Sequence, residues 1–156
     1  MCSYCGCESE PAVDALMREH EELARLMHEI TALAEPAPPL AGAKLAELAS
    51  SFAEHARTEE DGLFARLTAE GEATEVVTRL LEDHVRLVTG LSAGDLLARP
   101  LEMNELFADL AEHAEREETD LFPYALQALS PTSWDEIDWR TLVARSGAAT
   151  GQAKTA

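Results

Sequence analysis

No apolar run in the chain approaches the roughly 20 residues that cross a bilayer, so no membrane span is expected. Basic residues are scarce: 12 Lys and Arg stand against 30 Asp and Glu, a net charge of −18. Without a Lys/Arg cluster to neutralise phosphates, a role on nucleic acid is excluded. There are three cysteines, all within the first seven residues, so no disulfide framework ties distant parts of the chain together. The stretch Met1-Cys2-Ser3-Tyr4-Cys5-Gly6-Cys7 has neither a basic nor an apolar leader segment, so a cytoplasmic location with reduced thiols is expected. The phosphate-cradling glycine loops and the G-x-S-x-G elbow are missing too. Aromatics amount to only 5%.

What is present favours helix. Ala, Leu, Glu and Arg abound, and all four are good helix formers. A chain of 156 residues suits a single domain, large enough to fold without staples. Apolar residues keep a helical period from Pro11 to Ala34, and the run Pro36-Ala37-Pro38-Pro39 then breaks it. A second helix is expected from about Ala41 to Ala69, ending at Gly71. A third starts near Glu72 or Ala73 and stops by Gly94. Asp95 to Arg99 reads as a short helical turn, and Pro100 opens a fourth long helix. Ser130-Pro131 reads as the start of a short fifth helix through about Ala144. The expected architecture is all-α: an up-down-up-down four-helix bundle over residues 11–129, preceded by a Cys-bearing tail (1–10). A short C-terminal helix (130–145) and a flexible tail (146–156) follow it.

The chain also repeats itself. Ala53-Glu54-His55-Ala56 matches Ala111-Glu112-His113-Ala114, Glu59-Glu60 matches Glu117-Glu118, and Leu63-Phe64 matches Leu121-Phe122. His20-x-x-Leu23 pairs more loosely with His84-x-x-Leu87. Residues four apart on a helix differ by only about 40°. His55 and Glu59 therefore share a face, as do His113 and Glu117. Glu60 and Glu118 fall about 140° from their histidines and are expected to face outward. His20 aligns with Val13, Leu16 and Met27, and His84 with Val77, Leu80, Val88 and Leu91. Leu48 lines up with His55, and Leu106 with His113.

Four histidines and two glutamates thus point into apolar stripes. Buried carboxylates are costly without a partner, and two side by side repel. A bound cation removes both penalties by using the lone pairs of imidazole and carboxylate. Six ligands exceed one tetrahedral zinc. They suit two metals bridged by Glu59 and Glu117, with His20, His55, His84 and His113 completing the set. Mixed nitrogen and oxygen ligands suit iron, manganese or zinc.

At these residues the chain resembles the hemerythrin-like proteins, the family of the hemerythrin HHE cation-binding domain. The resemblance rests on His20-Glu21-Glu22-Leu23, His55-x-x-x-Glu59-Glu60 with Leu63-Phe64, Asp83-His84 with Leu87, and His113-x-x-x-Glu117-Glu118 with Leu121-Phe122-Pro123. It implies a non-haem di-iron centre that meets dioxygen, nitric oxide or peroxide in sensing, storage or redox protection. Oxygen-carrying members have a second histidine one turn after the one on the third helix, where this chain has Val88. Their last carboxylate is an aspartate five residues after the histidine of the fourth helix, where this chain has Glu118. These departures point towards redox or sensing roles and away from reversible oxygen carriage. Turnover of peroxide or oxygen as an enzyme is left open, and a monomer or small homo-oligomer is expected.

Secondary candidates flank this set. His28, Tyr124 and Glu118 are candidates for the surroundings of the ligands, Tyr124 because it lies about 20° from His113 on an ideal helix. Cys2-x-x-Cys5-x-Cys7 has the spacing of a soft-metal or thiol-redox site. The competing reading of the whole chain is a non-catalytic metal-binding or signalling module that uses this cysteine tail.

Overall fold

The computed structural model describes residues 10–137, and every regular element among them is helical. Helix α1 spans Pro11–Leu33 and α2 spans Pro38–Glu59. A π turn, Glu60–Phe64, joins α2 to α3, Ala65–Glu70. Helix α4 covers Thr74–Leu91, and a 3-10 turn at Leu96–Ala98 leads to α5, Pro100–Arg116. A second π turn, Glu117–Leu121, passes into α6, Phe122–Ala128. Residues 131–137 form a further helix, α7. The rest of the expected fifth helix, the C-terminal tail and Cys2, Cys5 and Cys7 lie outside the described residues.

The boundaries have local causes. Proline opens α1, α2 and α5, where its missing N–H belongs to the unpaired first turn. Helix α3 stops at Gly71, whose φ of +74° is left-handed. There the Glu72 N–H reaches the Leu67 carbonyl at 2.9 Å and the Gly71 N–H reaches that of Thr68 at 3.1 Å, the paired closure of a Schellman turn.

Two helices expected to be continuous each contain a π turn, at corresponding places in the repeat. One extra residue per π turn sets everything beyond it back by about 100°. Leu63, Leu67, Leu121 and Ala125 are thereby carried inward and buried. Tyr124 is carried outward, which corrects its expected place near the site: it is 42% exposed, and its hydroxyl donates to Glu72.

Helix α1 packs on α2 and α5, and α4 packs on α2 and α5. The apolar interior falls into two clusters. One gathers Val13, Leu16, Phe64, Leu67, Leu80 and Phe122; the other gathers Leu26, Ile30, Leu48, Phe52, Leu87 and Leu110. Along each helix the polar residues of the repeat separate the two. His20 falls between Leu16 and Leu23, and His84 between Leu80 and Leu87. A polar layer thus lies between two apolar ones.

Candidate metal centre

That layer holds all six principal candidates. His20 is 5% exposed, His55 2%, His84 1%, and His113, Glu59 and Glu117 are fully buried. They form two groups, His20, His55, Glu59 and Glu117 on one side and His84, His113, Glu59 and Glu117 on the other. Within each group, one donor atom per residue lies within 4.8 Å of every other. Both glutamates belong to both groups.

Within each group the imidazoles meet Nε2 to Nε2. His20 and His55 approach to 3.1 Å, as do His84 and His113. Two donors at right angles on one ion, each about 2.1 Å away, would stand about 3.0 Å apart. The glutamates complete the convergence. Glu59 Oε2 lies 3.3 Å from Nε2 of both His55 and His84. Glu117 lies 3.2 Å from His20 Nε2 and 3.3 Å from His113 Nε2.

The far side of three rings is held by carboxylates. His20 Nδ1 donates to Glu118, His55 Nδ1 to Glu19 and His84 Nδ1 to Glu60, each at 2.9 Å. A carboxylate at Nδ1 keeps the proton there and leaves the Nε2 lone pair facing inward, the tautomer that binds a metal. Sequence reasoning missed Glu19, and it sent Glu60 outward. Glu60 and Glu118 do sit at the rim, yet their chains are long enough to reach a histidine on another helix. The available signal was an acid directly before each of His20 and His84 and directly after each of Glu59 and Glu117. Aromatic rings pack the centre from both clusters. Phe64 stacks on His84, Phe122 stacks on His20, and Phe52 presents its edge to His84 and His113.

The donor set fits a cation by the test of unpaired atoms. All four carboxylate oxygens of Glu59 and Glu117 are buried without a hydrogen-bond partner. Such groups are rare because each costs on the order of 1–3 kcal/mol or more. With protein groups alone the charges are in conflict. Burial, then the neighbouring Glu117 charge, pushes Glu59 upward. Burial acts the same way on Glu117, but contact with His20 and the charge of His113 outweigh it and hold its carboxyl low. Burial opposes protonation of His20, yet Glu117 and Glu118 raise it to about 10. Burial drives His113 down to about 4. A cation at the convergence point would balance both carboxylates at once.

His28 is exposed on α1 and takes no part in this cluster. Among the described residues no helix is long and apolar enough to cross a membrane.

Fold and site together define an all-helical protein with buried His/Glu groups able to hold a metal. Residues 12–125 match the family model described as the hemerythrin HHE cation binding domain, and the chain belongs to that family. No curated protein and no solved structure matches the chain.

Proposed function

We propose that the protein is an up-down-up-down four-helix bundle holding two non-haem iron ions. His20 and His55 would hold one, His84 and His113 the other, and Glu59 and Glu117, which belong to both groups, would serve both. The observation that carries this reading is that two buried glutamates, unpaired on all four oxygens, each face a histidine of both pairs. Iron in this position would supply redox equivalents and coordination positions open to dioxygen, nitric oxide or peroxide.

The chain's own residues prepare the site. Glu19, Glu60 and Glu118 orient His55, His84 and His20 and, in the neutral rings, hold the proton on Nδ1 so that Nε2 is the atom free to ligate. Phe52, Phe64 and Phe122 exclude bulk water, which strengthens electrostatic interactions at the centre. A cleft of about 270 Å³ between α1 and α5 runs to His20; most of its wall is apolar, from Leu23, Ala24, Met27, Leu110, Ala111 and Ala114, and Glu21, Glu115 and Glu118 complete the lining. Its apolar walls suit the approach of small uncharged molecules. These features support sensing or storage of such molecules, or redox protection against them.

Metal analysis of protein from unsupplemented cells, followed by optical spectra, tests the proposal. Two irons per chain and near-ultraviolet bands that respond to dioxygen, peroxide or nitric oxide are expected. Stoichiometric zinc with no spectral response would sink it and favour the non-catalytic metal-binding module.

A further inference from the structure

The centre is built twice, and the two copies differ in what stands behind one of the four histidines. In the repeat, Glu118 on His20 corresponds to Glu60 on His84, and both bonds measure 2.9 Å. Glu19, which precedes His20, supports His55 at 2.9 Å. Its counterpart is Asp83, which precedes His84 and should support His113. It does not: its nearest oxygen is 3.8 Å from His113 Nδ1, beyond hydrogen-bond distance. The aspartate is one methylene shorter than Glu19, and two arginines occupy it. Arg116 donates to its Oδ2 at 2.8 Å and Arg86 to its Oδ1 at 2.9 Å. His113 Nδ1 is consequently buried with no hydrogen-bond partner, alone among the four histidines.

We propose that the two metal positions are unequal, that the His84/His113 position is the weaker and more readily exchanged, and that Arg116 sets the difference by holding Asp83 away from His113. The inference rests on the metal reading above. A carboxylate behind a ligating imidazole fixes its tautomer and raises its basicity, and losing one typically weakens metal binding ten- to a hundred-fold. His20, His55 and His84 have that support. His113 does not, so the position it serves lacks one of its two outer contacts. Asp83 and Arg116 are positioning residues in this scheme. Arg116 is 37% exposed, so the pair sits where a surface change can reach the buried centre.

Titration of the metal-free full-length chain with cobalt(II), followed by calorimetry and visible spectra, tests this. Two binding events separated by about ten- to a hundred-fold are expected. His113→Ala should remove the weaker event and keep the tighter one. Asp83→Glu, given the reach of Glu19, should draw the weaker event towards the tighter. Arg116→Met, which keeps the aliphatic stem and releases the carboxylate, should do the same. Circular dichroism establishes folding, and if either variant misfolds the other decides. Equal wild-type affinities overturn the proposal. So do a weak event that survives His113→Ala, loss of both events in that variant, or a separation unchanged in the folded Asp83 or Arg116 variant. Failure to bind any cobalt is a different result: it would overturn the metal centre itself.

Discussion

Glu60 accepts a hydrogen bond from His84 Nδ1 at 2.9 Å, across from the π turn that ends α2 to the middle of α4. The residue one place earlier, Glu59, lies 3.3 Å from Nε2 of the same ring. Adjacent glutamates thus address opposite sides of one imidazole, the inner one where a metal would sit and the outer one behind it.

This division predicts two grades of damage. Glu59→Gln or Glu117→Gln removes a charge from the convergence point and should abolish stoichiometric metal. Glu60→Gln or Glu118→Gln should keep the metal but weaken it about ten- to a hundred-fold. Metal retention under graded chelator separates the two classes. Wild-type retention in the Glu60 and Glu118 variants would mean that the outer bonds contribute nothing.

Removing metal should destabilise the fold, because a cation bound only by the native state stabilises it by mass action. At a thousand-fold excess over Kd that amounts to about 4 kcal/mol. For a chain of this size the melting temperature should fall by roughly 10 °C. Calorimetry before and after verified metal removal checks it, and superimposed curves would show that the histidines are only packing.

The metal-free protein should have a distinctive pH profile. Burial opposes a charged His20, but Glu117 and Glu118 raise it to about 10, above its ordinary 6.5. Its stabilisation is therefore complete below 6.5 and lost as pH rises through about 10. His113 is the reverse: burial lowers it from 6.5 to about 4, so its contribution is present above 6.5 and lost as pH falls towards 4. Because the raised Glu59 opposes His113 on the acid side, the firm expectation is on the alkaline side: the melting temperature without metal should fall as pH rises from 7 towards 10. Metal binding must also displace the His20 proton, which calorimetry in buffers of different ionisation enthalpy detects. A metal-free melting temperature that climbs from pH 7 to 10 would contradict this account.

Tyr124→Phe and His28→Ala should leave metal content and the spectrum unchanged. Both side chains are exposed, and the Tyr124 hydroxyl is engaged with Glu72. Loss of metal in Tyr124→Phe would show that α6 does not carry the rotation introduced by the π turn.

The helices and the six inward residues were legible in the sequence because both depend on short-range spacing. Proline and glycine mark the ends. His55 and Glu59, like His113 and Glu117, stand four apart within helix, so one face follows from the geometry of a single turn. The 58-residue repeat then matched one half against the other. Tyr124 escaped because a π turn has no composition of its own; an extra residue in one turn shifts the phase of everything after it.

The amino-acid sequence by itself determined that the four histidines and two glutamates are buried: a histidine or glutamate in line with Val13, Leu48 or Val77 goes inward whichever neighbour its helix meets. Only the tertiary structure decided what stands behind each ring. Glu19 meets His55, Glu118 meets His20, and Asp83 is drawn off to Arg116, leaving His113 unsupported. Those pairings join residues from different helices at separations near 3 Å. They depend on how the helices are set against one another and on a single methylene of reach, neither of which leaves a periodic trace in the chain.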